Sequence, residues 1–238
     1  MKDKWLESAA WNNAQYIQGE IRAVVLSFHG LGGMYRTTGN PLELGLAEEN
    51  ILVIAPFYGP WSWMNRLARK YVNEVVERTY TEFELDENLP LISSGGSMGG
   101  CSALLYCRYG KKAPAACDAL YPVCNALLHY TERPDLPSSF NYAFYGYEEP
   151  LEDILKEHSP FHQADQMPRI PYLFIHGTAD TRVSRALHSE PMVAALKERG
   201  HDVTYIRVPG MGHGENVPLS VIEKRRSFIS SFASEKKF

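Results

Sequence analysis

Basic charge is in short supply in this chain. Its 238 residues carry 24 Lys and Arg against 28 Asp and Glu, a formal charge of -4. A nucleic-acid groove needs a clustered basic surplus to meet phosphates, and a membrane-surface binder needs the same, so neither partner is expected. Long apolar runs are missing too. No stretch approaches the roughly 18 residues of a transmembrane helix, and the mixed-charge start Met1-Lys2-Asp3-Lys4-Trp5 leads into no apolar segment of the secretory kind. Cysteine is limited to Cys101, Cys107, Cys117 and Cys124, whose spacing fits no paired C-x-x-C zinc site. A chain of this length holds itself together by burial, so the expectation is reduced, buried thiols in a cytoplasmic protein.

Aromatic residues, by contrast, are plentiful: 14 Tyr, 10 Phe and 4 Trp make up 12% of the chain. Seven of these rings fall between Tyr121 and Tyr147, and four between Phe57 and Trp63.

Apolar runs and helical periodicity alternate from Ile21 onward. Arg22–Phe28, Ile51–Ala55, Leu89–Ser93, Ala115–Tyr121, Pro171–Ile175 and Val203–Val208 read as strands buried on both faces. Helical periodicity covers Trp63–Glu84, Met98–Tyr109, Arg185–Arg199 and Val217–Ala233. Alternation of this kind predicts an α/β fold, a parallel sheet with helices on both faces. Ala14–Gly19 is expected to add an antiparallel edge strand. Between Pro122 and Pro168 no strand is found, only prolines and rings, which is too long for an ordinary connection. It is expected to be an insertion, helical around Leu151–Glu157, that caps one edge of a single domain spanning 1–238.

The chemistry is concentrated at strand ends. Gly95-Gly96-Ser97-Met98-Gly99 is a G-x-S-x-G pattern between a strand and a helix, the setting of a nucleophile elbow. A serine held in a strained turn needs neighbours without side chains at positions -2 and +2, hence Gly95 and Gly99. No Lys-Ser/Thr follows, which excludes a phosphate-binding P-loop. The fifth strand ends in His176-Gly177-Thr178-Ala179-Asp180 and the sixth in Pro209-Gly210-Met211-Gly212-His213. Serine, acid and histidine therefore follow in the order Ser97, Asp180, His213, all at carboxyl ends of strands, where open α/β sheets place their ligands. Ser97 is expected to be the nucleophile, His213 the general base and Asp180 its orienting acid. His201 stands at the wrong end of the sheet, and His29 and His176 are read as packing and hydrogen-bonding residues. The loop His29-Gly30-Leu31-Gly32-Gly33 follows the first core strand, so the N–H groups of Leu31 and Met98 are the expected oxyanion donors, with the Tyr35 hydroxyl in reserve.

These residues resemble the α/β-hydrolase superfamily, and within it the prolyl-oligopeptidase-like and dienelactone-hydrolase-like branch. Gly95–Gly100 is similar to that branch's G-x-S-x-G-G elbow, His176–Asp180 with Val183 to its H-G-x-x-D-x-x-V acid loop, and Gly212-His213-Gly214 to its histidine loop. The resemblance covers Val24 to Ser231. It implies an α/β-hydrolase fold and a serine hydrolase that needs no cofactor. The first strong strand begins at Arg22, so no β-propeller of the peptidase kind is expected ahead of it. That favours a carboxylesterase acting on a small or medium ester over a peptidase acting on short peptides. A non-catalytic binding protein on the same fold is the reading from another class.

For the pocket, Tyr35, Tyr58, Trp61, Trp63, Tyr142 and Tyr145 are candidate substrate-binding residues. Rings with polar tips suit a carbohydrate-linked or aromatic acyl ester. The alternative is that they pack the cap onto the body. No metal is expected: His158 and His162 are four apart, but Pro160 breaks the helix that would align them.

Overall fold

The computed structural model describes residues 4–233, so both ends of the expected 1–238 span lie outside the described residues. In chain order the elements are α1 (Trp5–Ala9), β1 (Ala10–Asn12), β2 (Ala23–Phe28), α2 (Pro41–Glu48), β3 (Ile51–Pro56), α3 (Arg66–Glu82), β4 (Leu91–Gly96), α4 (Met98–Tyr109) and β5 (Ala116–Leu120). There follow α5 (Ala126–His129), α6 (Leu136–Ala143), α7 (Leu151–Glu157), β6 (Tyr172–Gly177), α8 (Ser189–Glu198), β7 (Val203–Val208) and α9 (Leu219–Ser230). Among the described residues the strands form one seven-stranded sheet in the order β1-β3-β2-β4-β5-β6-β7, parallel except at β1. This is the α/β-hydrolase fold. No helix among the described residues is long and apolar enough to cross a membrane.

Strand alternation sorts the core into two layers. Val24, Leu26 and Phe28 of β2, with Leu52 and Ile54 of β3, pack with α3, α4 and α8. Ala23, Val25, Ile51, Val53 and Ala55 turn to the other face and meet Leu42, Leu46 and Ile229 of α2 and α9. With both faces covered, the central strands can be apolar at every position, which is why they read as unbroken runs in the sequence. One charged pair interrupts this core. Asp118 in the middle of β5 is fully buried, and Arg225 of α9 approaches it through Nε at 2.9 Å and through its terminal nitrogen at 2.7 Å. Ser94 of β4 donates to the same carboxylate at 2.8 Å, so β4, β5 and α9 are tied together at one point.

The edge strand lies elsewhere than expected. β1 is Ala10–Asn12, antiparallel to β3, while Ala14–Tyr16 forms a 3-10 turn. Asn13 decides this. Its buried side chain accepts the Val53 N–H at 2.8 Å and donates to the carbonyls of Glu43 and Ile51, which ends the pairing and turns the chain. Sequence reading also missed α2, although its start carries a signature: Pro41 sits in the first turn, and Asn40 and Glu43 cap each other reciprocally.

The chain between β5 and β6 holds α5, α6, α7 and a 3-10 segment at Pro160–Gln166. It packs against the loop that follows β3. The Trp63 indole stacks on Phe140 at 4.1 Å and donates to Ser139 Oγ, Asn65 donates to the Ala143 carbonyl, and Arg66 and Arg69 bind Glu157. The insertion is thereby held across the carboxyl ends of the strands.

Candidate active site

The chain crosses from β3 over β2 to β4, so β2 and β4 are neighbours with Phe28 opposite Gly95. This is the switch point at which an open α/β sheet leaves a crevice. Ser97 occupies the turn from β4 into α4 with φ 60° and ψ -125°, a backbone conformation that costs an L-residue about 1–3 kcal/mol. Surrounding bonds enforce it: the Ser97 N–H donates to the Leu120 carbonyl, and its own carbonyl accepts from Cys101 and Val123. The two flanking glycines are steric requirements. A Cβ at Gly95 would stand 2.3 Å from the Gly99 carbonyl oxygen, and one at Gly99 would stand 2.3 Å from that of Phe28.

β6 and β7 are adjacent, with Gly177 opposite Val208, and their following loops are stitched together. Thr178 N–H donates to the Val208 carbonyl, Ala179 N–H to the Met211 carbonyl, and Gly210 N–H to Thr178 Oγ1. This brings Asp180 and His213 over the elbow. His213 Nε2 lies 2.8 Å from Ser97 Oγ, and His213 Nδ1 lies 2.7 Å from Asp180 Oδ2. An imidazole backed by a carboxylate can take the proton of such a hydroxyl as it attacks.

Asp180 makes both kinds of contact that its position suggests. Oδ1 accepts the N–H groups of Arg182 and Val183, a loop-forming turn, while Oδ2 faces His213. His176 also reaches Oδ2, at 3.1 Å, and its Nε2 lies 2.9 Å from the Val183 carbonyl. Two acceptors on Nε2 assign the proton there and leave Nδ1 to accept from the Ser189 hydroxyl at 2.7 Å. Burial pushes the Asp180 pKa up, but the hydrogen bonds from His176, His213 and the Val183 N–H outweigh it and hold the carboxyl well below its ordinary range. His176 thus positions the carboxylate, a contact its neighbourhood to Asp180 in sequence only hinted at.

A cavity of about 480 Å³ opens beside Ser97 and His213. Of the six rings proposed for its wall, Trp63 lines it and the other five do not. Tyr58 is buried beneath the loop that follows β2, its hydroxyl bonded to the His29 carbonyl and to Ser102. The Tyr35 hydroxyl donates to the Glu7 carbonyl, and Trp61 and Tyr142 pack edge-to-face on each other near the surface. Tyr145 is 91% exposed. The Trp61–Tyr142 pair and the Trp63–Phe140 stack join the insertion to the body. Among the rings that sequence reading missed is Tyr121, which lines the cavity at the end of β5 with its centroid 4.6 Å from that of His213. Its place at a strand's carboxyl end was the available signal. Arg36, Arg133, Arg182 and Arg225 line the cavity as well.

Leu31 lines the cavity and Gly30 is close enough that its Cβ would sit 3.8 Å from that of Ser97. Among the described residues, neither the Leu31 nor the Met98 N–H has a backbone acceptor. Burial lowers the His29 pKa, and its Nδ1 contacts the Gly30 carbonyl.

His129, Glu132 and His188 bring donor atoms within 4.8 Å of one another, the only such cluster among the described residues. The donor chemistry does not fit a metal. His188 Nδ1 accepts from the Cys124 and Asn125 N–H groups, so its proton sits on Nε2 and is donated to Glu132 at 2.8 Å. His129 Nδ1 bonds to the same carboxylate oxygen. His158 and His162 diverge, Nδ1 of the first on the Ile154 carbonyl and of the second on Ser159 Oγ. Burial raises the Glu132 pKa, but the two histidines win and hold it at about 2, against an ordinary 4.5. A carboxyl with a lowered folded pKa stabilises the fold above its unfolded value, and this is lost as pH falls through the folded value. The thermal midpoint is therefore expected to fall as pH drops from about 4.5 to about 2, with Asp180 acting in the same direction. Glu132→Gln should flatten part of that fall in scanning calorimetry; parallel curves for the two proteins would contradict the assignment.

Fold and site geometry together define the class, an α/β-hydrolase fold with serine, histidine and aspartate in line at the strand ends. The chain belongs to the prolyl oligopeptidase family, whose pattern matches residues 71–237. It is similar in structure to the Pyrococcus horikoshii acylaminoacyl peptidase, with a TM-score of 0.76 and 16% identity over 96% of this chain and 40% of that one. It also resembles Thermogutta terrifontis esterase 2, with a TM-score of 0.64 and 17% identity over 95% of this chain and 91% of that one. In sequence it is 37% identical over 70 residues to dipeptidyl peptidase family member 6 of Caenorhabditis elegans, which is 29% of this chain and 9% of that protein. The chain thus spans about two fifths of the length of the peptidase structure it matches, and a smaller share of the worm protein.

Proposed function

We propose that this protein is a carboxylesterase that cleaves a small or medium ester through an acyl-enzyme on Ser97. The observation that carries the reading is the continuous chain from Ser97 Oγ through His213 to Asp180, at 2.8 and 2.7 Å. His213 takes the hydroxyl proton as Ser97 attacks the carbonyl, gives it to the leaving alcohol, and then activates the water that frees the acid. The N–H groups of Leu31 and Met98 stabilise the oxyanion, and Trp63 and Tyr121 wall the substrate. No cofactor takes part. The esterase likeness, which extends over nearly the whole of that chain, supports the ester reading. A cytoplasmic setting suits the four free, buried cysteines.

The second reading is a peptidase for short peptides, favoured by the family and by the acylaminoacyl peptidase likeness. Parallel assays with p-nitrophenyl acetate and aminoacyl-p-nitroanilides separate the two. Ester turnover with little anilide turnover is expected; turnover of the anilides alone would sink the esterase reading. A fluorophosphonate probe is expected to label the wild type, and failure to label it would leave a binding protein without catalysis.

A further inference from the structure

The charge of the cavity wall is out of keeping with the chain. A protein of net charge -4 lines the space beside Ser97 with four arginines and, among the described residues, with no aspartate, glutamate or lysine. Two of the four are committed to the fold. Arg225 is bound to buried Asp118, and Arg36 donates to Glu43, whose side chain is only 3% exposed, while its guanidinium lies over Trp11. The other two are paired with exposed acids. Arg133 donates to both oxygens of Asp135, through Nε at 3.0 Å and a terminal nitrogen at 2.8 Å, but that acid is 60% exposed, and Arg182 stands 3.8 Å from Glu215, which is 59% exposed. Both acids are open to solvent, which screens the pairs, so a competing carboxylate can take the partner's place. At the cavity wall the Arg133 guanidinium, its side chain 32% exposed, is less screened and can hold a carboxylate through two parallel hydrogen bonds, while Arg182, 63% exposed, adds positive charge at the rim.

We infer that the cavity selects esters carrying a second, free carboxylate, which Arg133 of the insertion binds with Arg182 on the acid loop. The insertion is then a specificity element: it carries the guanidinium to the mouth of the site, where α5 ends and the Glu132 carboxylate is already occupied by His129 and His188. With Glu132 so engaged, no acid of that segment lines the cavity to oppose an anionic substrate. This deepens the esterase reading above and rests on it.

The test compares p-nitrophenyl hemiglutarate with p-nitrophenyl valerate, a neutral ester of similar length, using the Ser97→Ala protein to subtract spontaneous hydrolysis. The wild type should prefer the hemiglutarate in kcat/KM by roughly ten- to hundredfold, as expected for one or two charge-assisted hydrogen bonds. The preference should shrink as sodium chloride is raised. In Arg133→Gln and Arg182→Gln the ratio of the two esters should move toward one, chiefly through KM. A second ester pair with the carboxylate on the leaving group, 4-carboxyphenyl butyrate against phenyl butyrate, shows on which side of the scissile bond the anion sits. A wild-type ratio of one or below in both pairs, or a ratio unmoved in both variants, would overturn the inference while leaving the esterase reading intact. If neither ester is turned over and the fluorophosphonate does not label Ser97, the esterase reading itself has failed. Glutarate alone then decides: calorimetric binding to the wild type that is lost in both variants supports the anion site, and absence of binding overturns it.

Discussion

Ser97→Ala is expected to lower kcat for p-nitrophenyl esters on the order of 10⁶-fold, the scale of nucleophile removal in serine hydrolases, with little change in thermal stability. His213 Nε2 has Ser97 Oγ as its partner at 2.8 Å, so removing that oxygen leaves the base with no hydroxyl to deprotonate. The side chain contributes almost nothing to the turn itself. Its backbone is held by the Leu120, Cys101 and Val123 bonds, none of which involves Oγ, and alanine keeps the Cβ that this strained position already tolerates. The measurement is steady-state turnover beside a thermal melt, with mass spectrometry to check that fluorophosphonate adds to the wild type and not to the variant. Retention of more than about a hundredth of wild-type turnover, far above that expectation, would mean that another group attacks the ester.

Arg225→Met is expected to be the most destabilising of the substitutions considered. It strands the Asp118 carboxylate, fully buried in the centre of the sheet, with Ser94 as its remaining donor. Removing one partner of a buried ion pair typically costs about 3–5 kcal/mol, because the surviving charge has lost its counter-charge but not its burial. For a chain of this size that corresponds to a fall in melting temperature of roughly 6–20 °C. The double variant Arg225→Met/Asp118→Leu should recover most of the loss, since an apolar pair of similar volume is often neutral or better at such a site. A single variant that melts within about 2 °C of the wild type, less than 1 kcal/mol at this size, would show that the pair is dispensable.

Legibility in the sequence followed the range of the interactions involved. Val203–Val208 and Met98–Tyr109 match β7 and α4 residue for residue, because a buried strand and a helix after an elbow each impose a local pattern. Leu151–Glu157 likewise coincides with α7. The edge strand was misplaced because its position depends on Asn13 reaching Val53 and Glu43, partners far along the chain. The helices α5 and α6 were unread for a similar reason: their few turns are stabilised by packing on Trp63 and His188 and carry little periodicity of their own. The aromatic wall failed most fully. Trp61 and Trp63 are two residues apart, yet one packs near the surface on Tyr142 and the other turns inward onto Phe140 and the cavity. The arginines of the cavity were invisible because a charged residue in a loop or on a helix reads as solvated.

The shortage of basic charge with which the sequence begins is therefore an average that conceals a local excess. The sequence by itself determined the order of the strands along the chain, the glycines around Ser97, and the placing of serine, acid and histidine at carboxyl ends. Each of those is set by backbone sterics or by burial on two faces, which neighbours in sequence can report. Only the tertiary structure decided what surrounds them: that β2 lies beside β4, that His176 steadies Asp180, that the insertion folds back over the strand ends, and that arginines line the space it leaves. Side-chain direction in loops is chosen by packing partners distant in sequence, and that choice makes the pocket.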